Sequence, residues 1–142
     1  MKPYMEYWSL LALGALFVPF VIGCFSASTQ ESISFLEYHR SGGFMGLDDH
    51  LIIDDDGTAV LTRKRARSEL TVDAAVMDQL RSLLDGMAFS KLRKQYLPSR
   101  EGADLFDYVI TYGDHTVQTK DTAIPEALQP LIELLDRIIS TG

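Results

Sequence analysis

The chain has 142 residues, of which 46% are hydrophobic and 10% aromatic, and its formal net charge is −7. That length suits one compact domain and falls short of two. The apolar content excludes a disordered chain. The acidic balance argues against nucleic-acid binding, which needs a basic surface to release counterions.

In chain order, the first element is an apolar run, WSLLALGALFVPFVIGCF, with Lys2 upstream and the polar stretch SASTQES downstream. A charge, an apolar run and small polar residues in that order have the layout of an export signal. The run closes on Cys24, the only cysteine, so no intramolecular disulfide can form. Val21-Ile22-Gly23-Cys24 resembles the lipobox of bacterial lipoproteins. That resemblance implies cleavage before Cys24 and lipidation of its thiol. Two other readings stay open. The 18 residues from Trp8 to Phe25 fall within the ~17–25 of a spanning helix, which would make an uncleaved anchor. A buried core helix fits less well, because no polar face interrupts the run. Either membrane reading places the rest of the chain outside the cytoplasm, in the cell envelope, with Lys2 inside. The expected organisation is a lipoprotein signal peptide or anchor over residues 1–23, a tether over 24–31 and a folded domain over 32–142.

Ile33 to Tyr38 (ISFLEY) is β-branched and aromatic and predicts a strand. The loop SGGFMG follows. His50–Asp54 and Thr58–Arg65 flank Asp55-Asp56-Gly57, and Asp-Gly between two apolar runs predicts a hairpin. Thr71 is placed to cap a helix, with Asp73 in its first turn. Val72, Val76, Leu80, Leu83, Leu84 and Met87 recur at helical spacing, and Gly86 marks a stop. Phe89 and Leu92 are expected to pack beneath the following loop. Leu105–Tyr112 predicts a strand with Phe106, Tyr108, Ile110 and Tyr112 on one face, and His115–Lys120 returns beside it. A last helix carries Leu128, Leu131, Ile132, Leu135, Ile138 and Ile139, with Pro130 tolerated only in its first turn. The expected fold class is α+β. It has a mostly antiparallel sheet of about five strands with two helices on one face, in the order β-ββ-α-ββ-α.

Residues able to do chemistry together are sparse. His39, His50 and His115 have no metal-binding partner at helical spacing, and HExxH, a nucleophile elbow and a phosphate loop are absent. Asp49-His50 reads as an exposed step from loop to strand. Asp54-Asp55-Asp56-Gly57 suggests calcium, but Ile52 and Arg63 occupy two ligand positions of an EF-hand loop. Arg63, Lys64, Arg65 and Arg67 read as a charged edge strand that resists pairing with other chains, or else as a contact for anionic lipid or an acidic partner. These patterns imply no enzyme, no cofactor and no metal.

Tyr38-His-Arg-Ser-Gly-Gly-Phe-Met-Gly-Leu resembles the start of the emfourin-like family, the protealysin inhibitors, and the order of elements over about residues 33–140 is similar to theirs. The resemblance implies a small bacterial protein that inhibits thermolysin-like zinc metalloproteases, hence a protease as partner. It implies no catalytic residues. Such an inhibitor needs an ordered loop that enters the enzyme cleft, and Gly42, Gly43, Phe44, Met45 and Gly46 are the candidate protease-binding residues. The glycines would let the backbone approach closely. Phe44 is expected to fold back onto the core, the commoner place for an aromatic, and Met45 to be exposed. The alternative is an envelope lipoprotein that serves as a docking module without a protease target.

Overall fold

The computed structural model describes residues 34–142 except 101 and 103. The apolar run, Cys24 and the tether lie outside the described residues. Among those described, seven strands and two α-helices follow in order: β1 (Leu36–Gly42), β2 (Leu47–Ile53), β3 (Thr58–Arg63), β4 (Ala66–Thr71), α1 (Ala74–Gly86), β5 (Gln95–Tyr96), β6 (Phe106–Tyr112), β7 (His115–Lys120) and α2 (Gln129–Thr141). The strands make one sheet in the order β4-β3-β2-β1-β6-β7-β5. Every pairing is antiparallel except β5 with β7. The class is α+β, as the patterning predicts, but the strands number seven rather than five.

Strand β4 is the larger departure. ARSELT shows no apolar alternation, because an edge strand buries little; only Leu70 is even half-buried. The reversal before it has no glycine. Lys64 takes the left-handed backbone instead, with φ 55, and its N–H donates to the Asp48 carbonyl at 2.9 Å. The basic run therefore spans a turn and parts of two strands. Thr71 ends β4 and does not cap α1; that position falls to Asp73, whose side chain makes no capping bond. The first strand begins three residues later than ISFLEY suggests and runs on to Gly42. The Asp-Gly hairpin forms as predicted. Gly57 at φ +86 closes it, and its N–H donates to the Asp54 carbonyl at 3.0 Å. Asp56 accepts from the Thr58 N–H at 2.8 Å, which holds its carboxyl below the usual carboxylate range.

One face of the sheet and both helices enclose the core. Leu36, Tyr38, Leu51, Ile53, Leu61, Ile110 and Val117 alternate with less buried neighbours along their strands and meet Met77, Leu80 and Leu84 of α1. Helix α2 contributes Leu131, Ile132, Leu134, Leu135, Ile138 and Ile139. Each such aliphatic side chain stabilises the fold by about 1.5–3 kcal/mol when fully buried. Phe89 is buried and Leu92 packs against the core, as expected. Pro130 falls in the first turn of α2, where its missing N–H breaks no helical bond.

A polar cluster lies within this apolar layer. The Arg40 side chain, 18% exposed, donates to Asp49 Oδ2 at 2.7 Å and lies 3.0 Å from Asp136 Oδ1. Burial acts to lower its pKa, but the bond to Asp49 and the charge of Asp136 outweigh that and raise it. The Tyr38 hydroxyl donates to Asp136 Oδ1 at 2.8 Å, tying β1 to α2. Burial, then the neighbouring Asp136, drives the Tyr38 phenol far above its ordinary pKa. Arg63 approaches Asp49 Oδ1 at 3.5 Å and donates to the Ile139 carbonyl. Asp49 is thus a buried carboxylate within β2, not an exposed step. Replacing it removes the main partner of a largely buried cation. Asp49→Ala is expected to lose about 3–5 kcal/mol of folding stability in urea titration. A loss no larger than that of Asp48→Ala on the exposed face would show that Asp49 is not a linchpin.

Candidate functional site

Strand β1 runs between β2 and β6, and its last pairs are Gly42 with Leu47 and Gly42 with Phe106. Four residues, Gly43 to Gly46, remain to reverse the chain. The Gly46 N–H donates to the Gly43 carbonyl at 3.0 Å, so Phe44 and Met45 are the two corner residues of a closed turn. The tip is also held from the side. The Gly43 N–H donates to the Leu105 carbonyl at 3.2 Å, and the Phe44 N–H donates to the Asp104 carboxylate.

Two glycines are needed for this approach. At Gly42, φ is +104, and a Cβ would stand 2.6 Å from the Leu105 carbonyl oxygen. At Gly43, φ is +67, and a Cβ would stand 2.5 Å from the Phe106 ring. The space beside Gly43 thus belongs to Phe106, which packs against the core. Phe44 projects beyond the end of the sheet and is 91% exposed, and Met45 is 78% exposed. The expectation for Met45 holds, while that for Phe44 is overturned. A corner residue of a hairpin turn has no sheet beneath it, and the ring that covers the glycines comes from β6. Large apolar side chains exposed together on an ordered tip form a contact surface rather than a core element.

The remaining candidates separate in space. Asp49 and His50 are neighbours in a strand and point to opposite faces, so they cannot act together. His50 Nε2 meets Glu37 Oε1 at 2.6 Å, and His39 Nε2 meets Asp48 Oδ1 at 2.8 Å. The two rings are 5.7 Å apart, edge to face. These four residues, with Thr62 and Lys64, line a shallow hollow of about 400 Å³ on the sheet face away from the helices. His115 lies elsewhere, against the Leu92 carbonyl at 2.9 Å. Among the described residues no group of three side chains is arranged to hold a metal. Sequence reasoning missed Asp104 and Leu105 as supports of the tip. They lie some 60 positions along the chain, and no local pattern links them to it.

The family model for emfourin matches residues 38–136. The chain belongs to the emfourin family. A comparison with curated proteins finds no match. The emfourin match takes in β1 from Tyr38 onward, the hairpin tip, β2, and α2 as far as Asp136, the residue that receives Tyr38. Emfourins are inhibitors, so membership gives this chain a protease-inhibitor-like role.

The glycine geometry is directly testable. Gly42→Ala meets both a forbidden φ and a backbone oxygen, and is expected to cost about 2–3 kcal/mol in urea unfolding. Gly46→Ala, at φ +57 with nothing within 4 Å, meets only the left-handed penalty of about 1 kcal/mol. Equal costs would contradict the close approach at Gly42.

Proposed function

We propose that this chain is a membrane-anchored envelope protein whose extracytoplasmic domain inhibits a thermolysin-like zinc metalloprotease by inserting the Phe44–Met45 tip into the enzyme cleft. The observation that carries the reading is the exposure of two bulky apolar side chains on a hairpin whose backbone is already ordered. Thermolysin-like enzymes favour bulky apolar side chains beside the scissile bond, and Phe44 or Met45 supplies one. Order in the free tip reduces the entropy lost on binding. The turn also opposes cleavage. A protease needs an extended segment, and extending residues 43–46 would break the Gly46–Gly43, Gly43–Leu105 and Phe44–Asp104 hydrogen bonds together. Gly42 and Gly43 complete the device by letting the strand end lie flat against Leu105 and Phe106. Lipidation at Cys24 would hold the domain at the membrane.

Titration of the full chain, in detergent, against several thermolysin-like proteases tests this reading. Micromolar or tighter inhibition is expected. Phe44→Ala and Met45→Ala should each raise the inhibition constant on the order of tenfold or more, since each removes about 1.5–3 kcal/mol of apolar burial. If the parent inhibits none of the enzymes, the docking-module reading replaces this one. If both variants stay folded and inhibit like the parent, the tip is not the contact.

The anchor has its own readout. Cells expressing the chain and fed a fatty-acid analogue should label it, and Cys24→Ala should abolish the label. Undiminished labelling of that variant would exclude lipidation at Cys24.

A further inference from the structure

We propose that the open edge of β4 pairs with the β4 edge of a second copy of this chain, in an antiparallel register centred on Ser68. The parity of the hairpin shows which groups are available. The Val72 N–H donates to the Gly57 carbonyl at 2.8 Å, so Val72, Leu70, Ser68 and Ala66 turn their backbone groups toward β3. Arg67, Glu69 and Thr71 therefore turn theirs outward. All three are exposed, and among the described residues no hydrogen bond reaches those outward groups. A row of free donors and acceptors on an edge strand is a template for another strand.

Charge selects the partner and the register. Two copies related by a two-fold axis must set outward residues opposite outward residues. With the axis at Ser68, Arg67 of each copy faces Glu69 of the other, twice over. Both side chains lie on the sheet face that carries Val60 and Thr62, their partners in β3. With the axis moved to Glu69, two carboxylates would meet at the centre; moved to Arg67, two guanidinium groups would meet. Opposed unlike charges across antiparallel strands attract, and like charges repel. The alternation in Arg67-Ser68-Glu69 thus admits one symmetric pairing and disfavours its neighbours. This sharpens the reading of the basic run as an edge that resists pairing: it resists the wrong registers. On the helix side the same register places each Leu70 opposite the other copy's Ala66. A small apolar groove of about 170 Å³, lined in part by Leu70, Val76, Leu134 and Ile138, adjoins that side. The β1–β2 tip lies on other strands and stays free in the pair.

Sedimentation equilibrium of the full chain in density-matched detergent is the test. The parent is expected to form dimers. Arg67→Glu sets two like-charged pairs across the axis and should raise the dissociation constant on the order of tenfold. Glu69→Arg should do the same, and the double exchange R67E/E69R should restore the parent value. All these side chains are exposed, so the fold is not at stake. Cross-linking reads the register. Ser68 faces its own copy in a non-hydrogen-bonded pair, where Cα atoms lie about 4.5 Å apart and accept a disulfide. S68C should therefore form a covalent dimer beyond any formed by the parent through Cys24, and E69C should not. A monomeric parent, a dimer indifferent to the single exchanges, or cross-linking by E69C in place of S68C would each overturn the proposal.

Discussion

A guanidinium taken out of water must find its counter-charge where it lies, and Arg40 does so between the sheet and the closing helix. It reaches Asp49 on the next strand and Asp136 on α2, and Tyr38, two residues back along β1, reaches the same Asp136. Three elements are thereby locked in one mutual register. A sliding helix or slipped strand would strand a buried charge, which costs far more than a shifted aliphatic contact. Apolar packing supplies most of the driving force, and the cluster specifies which packing forms. Because β1 is held there and paired on both sides, its far end is a stiff support.

The tip depends on that stiffness. Its corner residues are exposed, and the hydrogen bonds of the surrounding backbone, one of them to the Asp104 carboxylate, hold them in place. Leu105 and Asp104 provide two of these, and the glycines allow them by removing the Cβ atoms that would collide. The resulting surface is apolar, exposed and ordered, which is an expensive combination for a soluble domain. The proposed binding role would account for it, because a partner covering the tip would recover the exposed area. The β4 edge of the sheet is different, presenting exposed charges rather than apolar bulk.

Much of this was legible locally. The Asp-Gly turn, the aromatic face of Phe106 to Tyr112, the stripe of α2 and the tolerance for Pro130 all follow from periodicity and backbone preference. β4 was hidden because it buries almost nothing and is entered through a lysine in left-handed geometry. Asp49 read as a surface residue because a buried carboxylate is recognisable only through partners, and these lie on β1, β3 and α2. Phe44 was placed in the core by the general habit of aromatics. The ring that takes that place, Phe106, is more than sixty residues away in the chain.

The sequence by itself determined the α+β class, most strand and helix positions and the family. These depend on spacing and on the φ preferences of single residues, which are local properties. The tertiary structure alone decided that Phe44 faces outward, that Arg40 and Asp49 form a buried pair, and that β4 ends the sheet with its backbone open. Each of those outcomes depends on which distant groups compete for the same space or the same charge, and only the folded chain brings the competitors together.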